Sequence, residues 1–162
     1  MIYLQNNPEI LNLWDFPLSD DGIKHLSELL TTNTTITTLY LVNNGIGDTG
    51  AKYLATMLKI NTKLTTIFLW KNNIGIDGFK SFSEALQLNT TLTSLNLDCN
   101  DSIQRKCALE IQERLNINII NKKKLDKLQY LCAIKIQESG QMEEAKNTLC
   151  PLVYAHYFGQ KN

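Results

Sequence analysis

Apolar positions along this chain fall into a unit that repeats. Asn33-Thr34-Thr35-Ile36-Thr37-Thr38-Leu39 returns as Asn61-Thr62-Lys63-Leu64-Thr65-Thr66-Ile67 and again as Asn89-Thr90-Thr91-Leu92-Thr93-Ser94-Leu95, each time after 28 residues. Each unit then reads L-x-x-L-x-L-x-x-N, as in Ile36, Leu39, Leu41 and Asn44, or Leu64, Ile67, Leu69 and Asn72, or Leu92, Leu95, Leu97 and Asn100. Leu39 and Leu41 alternate, so both point to one face of a short strand and into a core. Asn44 and its equivalents stand where the chain leaves the strand. A side-chain amide there can pair with turn backbone, and stacked copies form a ladder.

The second half of each unit predicts a helix. Gly47 and Gly50, matched by Gly75 and Gly78, punctuate the turn, and Asp48 or Asp77 lies near the helix start, where a carboxylate is favourable. Ala51, Leu54, Ala55 and Leu58 follow at helical spacing, as do Phe79, Phe82, Ala85 and Leu86. No such unit can bury its apolar face alone, so the units must stack, with parallel strands lining the inner curve and helices outside. Stepping back one period from Leu39, Leu41 and Gly50 lands on Leu11, Leu13 and Gly22, which places a degenerate first unit at about residues 5–32. Phe16 takes its Asn position and Pro17 follows, as befits a terminal, capping repeat. The remaining units are 33–60, 61–88 and 89–116. In the last, the glycines vanish over Asp101 to Arg105 and one residue is inserted, before Ala108, Ile111 and Leu115 resume the core positions.

The run from Asn43 through Leu58, N-N-G-I-G-D-T-G-A-K-Y-L-A-T-M-L, resembles the ribonuclease-inhibitor and NOD-like-receptor type of leucine-rich repeat. The resemblance extends over about residues 5–116 and implies an α/β fold: a short right-handed leucine-rich-repeat solenoid of about four 28-residue strand–helix repeats. Residues 117–162 leave the repeat and are expected to form a helical C-terminal cap or appendage. Leu125, Leu128, Leu131, Cys132 and Ile136 mark a helix over about 123–138; Met142, Ala145 and Leu149 begin a second; Leu152 to Phe158 suit a third. Solenoids need caps, so this tail is read as covering the last repeat, the alternative being a separate binding module.

Composition narrows the function. Sixteen basic and sixteen acidic side chains cancel among 162 residues, so no nucleic-acid partner is expected. Lys122, Lys123, Lys124 and Lys127 form the one basic run, read as a solvated helix face. No apolar stretch approaches the ~18 residues of a membrane span, and the first residues lack a Sec-type signal. No membrane association and a cytoplasmic location are therefore expected. Cys99, Cys107, Cys132 and Cys150 are widely spaced with no C-x-x-C pair, which fits reduced thiols.

Catalytic chemistry finds no constellation. His25 reads as a surface residue, and Cys132 or Cys150 with His156 is the only conceivable nucleophile–base pair. Gly45, Gly47 and Gly50 belong to the repeat turn rather than to a phosphate loop; the resemblance to this repeat type, some of whose members activate GTPases, implies an arginine in a turn after a strand, and Arg105 is the sole candidate. No catalytic residue, cofactor or metal is expected, and the chain is read as a non-enzyme.

Strand positions that do not enter the core face the concave side. Three columns cross the sheet there: Trp14, Val42, Trp70, Asp98; Asn12, Tyr40, Phe68, Asn96; and Ile10, Thr38, Thr66, Ser94, with Asp15, Asn43, Lys71 and Cys99 beyond the first. Strands ~4.8 Å apart bring Trp14, Tyr40, Phe68 and Trp70, both tryptophans included, into one patch about 10–15 Å wide. Exposed aromatic patches mark interaction sites, and Trp and Tyr are enriched at hot spots. Partner binding is accordingly expected at Trp14, Tyr40, Val42, Phe68, Trp70, Lys71, Asn96 and Asp98, with Asp15, Lys71 and Asp98 as rim charges. The tail or a second copy of the chain are the alternative covers, so the chain is expected as a monomer or weak dimer. An enzyme or self-assembling protein centred on the tail is the competing function. Fourteen lysines against two arginines, abundant Asn, and Glu138, Glu143 and Glu144 before an apolar terminus make the chain similar to eukaryotic-like effectors of intracellular bacteria such as Legionella. That resemblance implies secretion without a Sec signal and a host protein as partner, bound in the host cytosol.

Overall fold

The computed structural model describes residues 9–98 and 102–139, the final helix with its side chains over 105–131 and at 134. Four strands alternate with four helices: β1 (Ile10–Asn12), α1 (Ser19–Thr31), β2 (Thr38–Tyr40), α2 (Asp48–Leu58), β3 (Thr66–Phe68), α3 (Ile76–Leu86), β4 (Ser94–Asn96) and α4 (Ser102–Ser139). The strands form one parallel sheet in chain order. Its register follows the repeat: Leu11 pairs Leu39, Leu39 pairs Ile67, and Ile67 pairs Leu95. The alternating leucines fill the space between sheet and helices, with Leu39, Leu41, Ile67, Leu54, Leu58, Phe79 and Phe82 all buried. Each strand is three residues long, so side chains and backbone outside the strands must supply much of the coupling between repeats.

Threonine supplies one such link. The Thr65 and Thr66 N–H groups both donate to the Thr37 carbonyl at 2.9 and 3.1 Å, and Thr93 and Ser94 repeat this on Thr65 at 2.8 and 3.0 Å. The Thr65 and Thr93 hydroxyls add further donors to the same carbonyls at 3.2 and 3.1 Å. Two asparagine ladders supply the rest. At the strand exits, the Asn44 amide donates to Leu13 and Val42 carbonyls at 2.9 and 3.0 Å, and the Asn72 amide donates to those of Leu41 and Leu69 at 2.8 and 2.7 Å. The Asn72 carbonyl in turn accepts the Asn44 and Ile46 N–H groups, both at 3.0 Å. Asn100, the next member expected, lies outside the described residues. Where this ladder ends toward the N-terminus, the buried Asn44 Oδ1 has no hydrogen-bond partner. The turn of the first repeat is shortened, and its Phe16 N–H bonds Leu13 instead, at 3.3 Å.

The second ladder opens each unit. Asn61 donates to Leu30 at 2.6 Å, Asn89 to Leu58 at 2.7 Å and to Asn61 at 3.1 Å, and Asn118 to Asn89 at 3.1 Å and Leu92 at 2.7 Å. Asn118 stands 29 residues beyond Asn89, which is the period plus the inserted residue. It lies inside α4, a single helix of 38 residues. The helix expected to start near Lys123 is therefore the distal part of α4, because no Gly or Pro between Ser102 and Ser139 interrupts it. The expected second and third tail helices fall outside the described residues.

Carboxylates connect successive helices. Asp20 Oδ1 accepts the Gly47 N–H at 2.8 Å, and Asp48 Oδ1 accepts the Gly75 and Gly78 N–H groups at 2.8 Å each. Each carboxylate thus satisfies orphan donors at the start of the next repeat's helix and meets the positive end of its dipole. Asp77 lies in the first turn of α3, as expected, but one place off this register. Ile76 stands one period after Asp48, while Asp77 is exposed and pairs with Lys80 at 3.5 Å. Replacing Asp48 by alanine is expected to lower stability in urea titration by about 2 kcal/mol, whereas Asp77→Ala should stay within about 0.5 kcal/mol of wild type.

Ser27 offers the opposite sign. Its buried hydroxyl has no partner, and the residue one period later is the buried Ala55. Ser27→Ala should raise stability by about 1 kcal/mol, read as a higher urea midpoint with unchanged slope.

By its contacts the chain divides into units spanning residues 1–118 and 119–162. In the first, Cys107, Ile111 and Leu115 of α4 are buried against the repeat core. In the second, Ile120, Leu125, Leu128 and Leu131 of α4 are exposed.

Candidate functional site: the concave aromatic face

The inner face of the sheet gathers most of the expected residues. Tyr40 and Phe68 are register partners on β2 and β3, and their rings stack with centroids 4.5 Å apart and planes 8° from parallel. Trp14 and Trp70 follow β1 and β3, two strands apart, yet their rings meet edge to face at 5.4 Å and 70°. Meeting over so wide a gap requires both indoles to lean across the end of β2.

Val42 occupies that position, and it corrects an expectation. Its backbone belongs to the concave column, but it has no accessible surface and stands outside the main core cluster. Of the residues expected to bind a partner, Val42 is therefore one with no side-chain surface exposed. Trp14 stays 47% exposed, Trp70, Tyr40 and Phe68 are partly buried, and Asn96 and Asp98 are exposed. Tyr40 and Phe68 thus cover one face of each other's ring, while Trp14 and Trp70 meet edge to face.

A row of strained backbone borders the patch. Asp15, Asn43 and Lys71 occupy equivalent positions in three repeats and all adopt left-handed conformations, with φ of 54°, 55° and 57°. Asp and Asn tolerate this region, whereas Lys gains no local hydrogen bond there. Neighbouring side chains hold the row in place. Asn43 donates to Asp15 Oδ1 at 2.6 Å, and the Lys71 N–H donates to the Asp98 carboxylate. The conformation sets the Lys71 ammonium 5.1 Å from the Trp70 ring centroid, a cation–π contact. Lys71 and Asp98 are thus tied into the aromatic patch. On the Trp14 side, Asn12 Oδ1 accepts the Trp14 N–H at 3.0 Å.

Phe16, two residues beyond Trp14, is exposed as well. His25 is exposed and its Nδ1 lies 2.9 Å from the Asp21 carbonyl, a local helix contact. Arg105 is exposed. The Cys132 side chain, Cys150 and His156 lie outside the described residues, as does Cys99. Among the described residues no group of three His, Cys, Asp or Glu is arranged to hold a metal, and no helix is long and apolar enough to cross a membrane.

Comparison with known proteins bears on the fold. A family model described as Leucine Rich repeat matches residues 32–55 and 88–106. No curated protein matches the chain significantly. Among solved structures, leiomodin-1 actin-binding site 2 is similar with a TM-score of 0.58 and 21% identity, over 78% of this chain and 90% of that one. The tropomodulin C-terminal domain of Caenorhabditis elegans aligns with a TM-score of 0.44 and 16% identity, over 74% of this chain and 89% of that one. Parallel strands in a one-period register, stacked asparagines and the repeat match together make this chain a leucine-rich-repeat α/β solenoid that ends in a long helix.

Proposed function

We propose that the chain is a protein-binding module, not an enzyme, and that its partner docks on the concave face. The observation that carries this reading is the Trp14–Trp70 pair beside the Tyr40–Phe68 stack, four aromatic side chains gathered on one water-facing sheet surface. Rigid aromatic groups offer large contact area with little rotamer entropy to lose. Lys71, Asn96 and Asp98 at the border add polar and charged groups that fix orientation. The similar leiomodin domain is itself an actin-binding site, which supports a protein as the class of partner and makes actin the first candidate to assay. The run from Asn43 through Leu58 makes the ribonuclease-inhibitor type our reading of the repeat. The effector resemblance makes a host cytosolic protein the second class of candidate.

The test is affinity capture by wild type and by the Phe68→Ala/Trp70→Ala double variant, from bacterial and from host lysates, with actin co-sedimentation in parallel. For the partner identified, Trp70→Ala should weaken binding by at least about 30-fold, the loss expected of a hot-spot aromatic. Capture of the same proteins with the same affinity by the double variant would refute the concave site.

A further inference from the structure

We propose that the two ends of the repeat stack fit one another, so that copies of this chain associate head to tail, the β4–α4 end of one on the β1–α1 end of the next. Leu29, 73% exposed, is the most exposed large apolar side chain among the described residues. Its equivalents one and two periods on, Met57 and Ala85, are buried. The helix flank that carries them faces the preceding repeat. A Cβ on Gly78 would meet Ala51 and Asp48 of α2, and Ala85 follows Gly78 by two turns on the same flank. No helix precedes α1 among the described residues, so Leu29 remains in water. The other end of the stack is open as well. Leu95 and Leu97 are only partly buried, whereas their equivalents Leu39, Ile67, Leu41 and Leu69 are at most 1% exposed. Beside them lies a notch of about 190 Å³, lined by Leu95, Leu97, Ala108 and Ile111 with Asn96 and Gln112.

The repeat itself selects a second copy as the occupant. Among the described residues β1 pairs only with β2 and β4 only with β3, so the sheet has an edge at each end. Setting β1 of the next copy beside β4 continues the parallel register, with Leu11 opposite Leu95 as Leu39 stands opposite Leu11. The Thr93 carbonyl then accepts the Glu9 and Ile10 N–H groups, as the Thr37 and Thr65 carbonyls accept those of the repeats that follow them. The same placement brings Leu29 to the notch. Charge agrees with it. The groove between α2 and α3 is lined by Asp48, Thr49 and Lys52 on one side and by Asp77, Lys80, Ser81 and Glu84 on the other. Allowing for the residue inserted in the last repeat, Arg105, Lys106 and Leu109 take the places of the first three. Asp21, Lys24, His25 and Glu28 of the next copy take those of the other four. Two cations on α4 thus face a rim with two carboxylates and one lysine, and Arg105 meets Asp21 where the inner groove has Asp48 and Asp77. Such complementarity fixes the register of the contact. Because the contact joins two different surfaces, it propagates along an open chain and does not close into a two-fold dimer. Each junction adds a neighbour to a repeat that lacks one, which is how a solenoid gains stability.

Sedimentation equilibrium of the full chain tests this. The weight-average mass should rise with concentration beyond that of a dimer. Leu29→Glu blocks one end, and Arg105→Glu/Leu109→Glu sets two carboxylates against Asp21 and Glu28 at the other. Either variant alone should therefore stay monomeric at concentrations at least about tenfold above those at which wild type associates. An equimolar mixture of the two should form a dimer and nothing larger, because each variant keeps one intact end. All three positions are exposed, and unchanged circular dichroism establishes that the variants fold. Arg105→Glu alone should weaken association, and Asp21→Arg added to it should restore it. Trp70→Ala should associate as wild type does, which separates this contact from the concave site. A wild type that stays monomeric, growth that stops at a dimer, or a mixture of folded variants that stays monomeric overturns the proposal.

Discussion

Asn89→Ala is expected to lower folding stability by about 3 kcal/mol, because one buried side chain serves four backbone groups. Its amide donates to the Leu58 and Asn61 carbonyls at 2.7 and 3.1 Å, and its carbonyl accepts the Thr91 and Leu92 N–H groups at 3.0 and 2.8 Å. Alanine fills almost none of the vacated volume and leaves two donors and two acceptors in a region only 5% exposed. Asn89→Asp keeps the acceptors but turns a carboxylate toward two carbonyl oxygens, and should be at least as damaging. Asn73→Ala is the control: Asn73 is exposed, and its backbone N–H bond to the Ile46 carbonyl survives the substitution. Equilibrium urea unfolding of the three variants checks the ordering. A loss at Asn89 no larger than that at Asn73 would show that the ladder does not couple the repeats. In a solenoid each repeat depends on its neighbours, so the deficit should localise. Hydrogen exchange should quicken first at the Thr91 and Leu92 amides and then through β4.

The sequence made the register legible because a fixed period leaves no freedom in it. Leu11, Leu39, Ile67 and Leu95 had to lie abreast, and with them the columns that contain Tyr40, Phe68, Trp14 and Trp70. The Asn44–Asn72 ladder followed from the same step. Three features were beyond that reasoning. Asn61 and Asn89 looked like markers of the period, since their hydrogen bonds depend on which carbonyls the preceding helix end presents. The continuity of α4 was hidden by the end of the 28-residue repeat at residue 116, although Asn116 to Lys124 contains no Gly or Pro to break a helix. Val42 stands in a concave column by the period and yet is buried. A periodic pattern assigns a side chain to a face but does not say what neighbours do above it.

Gly78 shows the same limit and carries the other large effect. The spacing of Gly50 and Gly78 suggests turn residues, yet both lie within helices α2 and α3 and are buried. Their role is close approach. A Cβ at Gly78 would stand 2.5 Å from Ile74 Cγ2, 2.8 Å from Asp48 Oδ1 and 2.9 Å from Ala51 Cβ. The Ala51 atom cannot rotate away, and moving the carboxylate breaks its bonds to Gly75 and Gly78. Gly78→Ala should therefore destabilise by about 3 kcal/mol despite alanine's better helix propensity. Gly45 provides the contrast, with φ of +69° and nothing within 4 Å of its own Cβ position. There the strain is only conformational, so Gly45→Ala should lose about 1 kcal/mol and Gly45→Asn less. Coupling gives the sharper check. Asp48 is both a clashing group at Gly78 and the cap of α3, so Asp48→Ala/Gly78→Ala should lose at least about 0.5 kcal/mol less than the two single losses summed. Strict additivity would mean that the clash is absorbed elsewhere, and that the helices are not held together through this carboxylate.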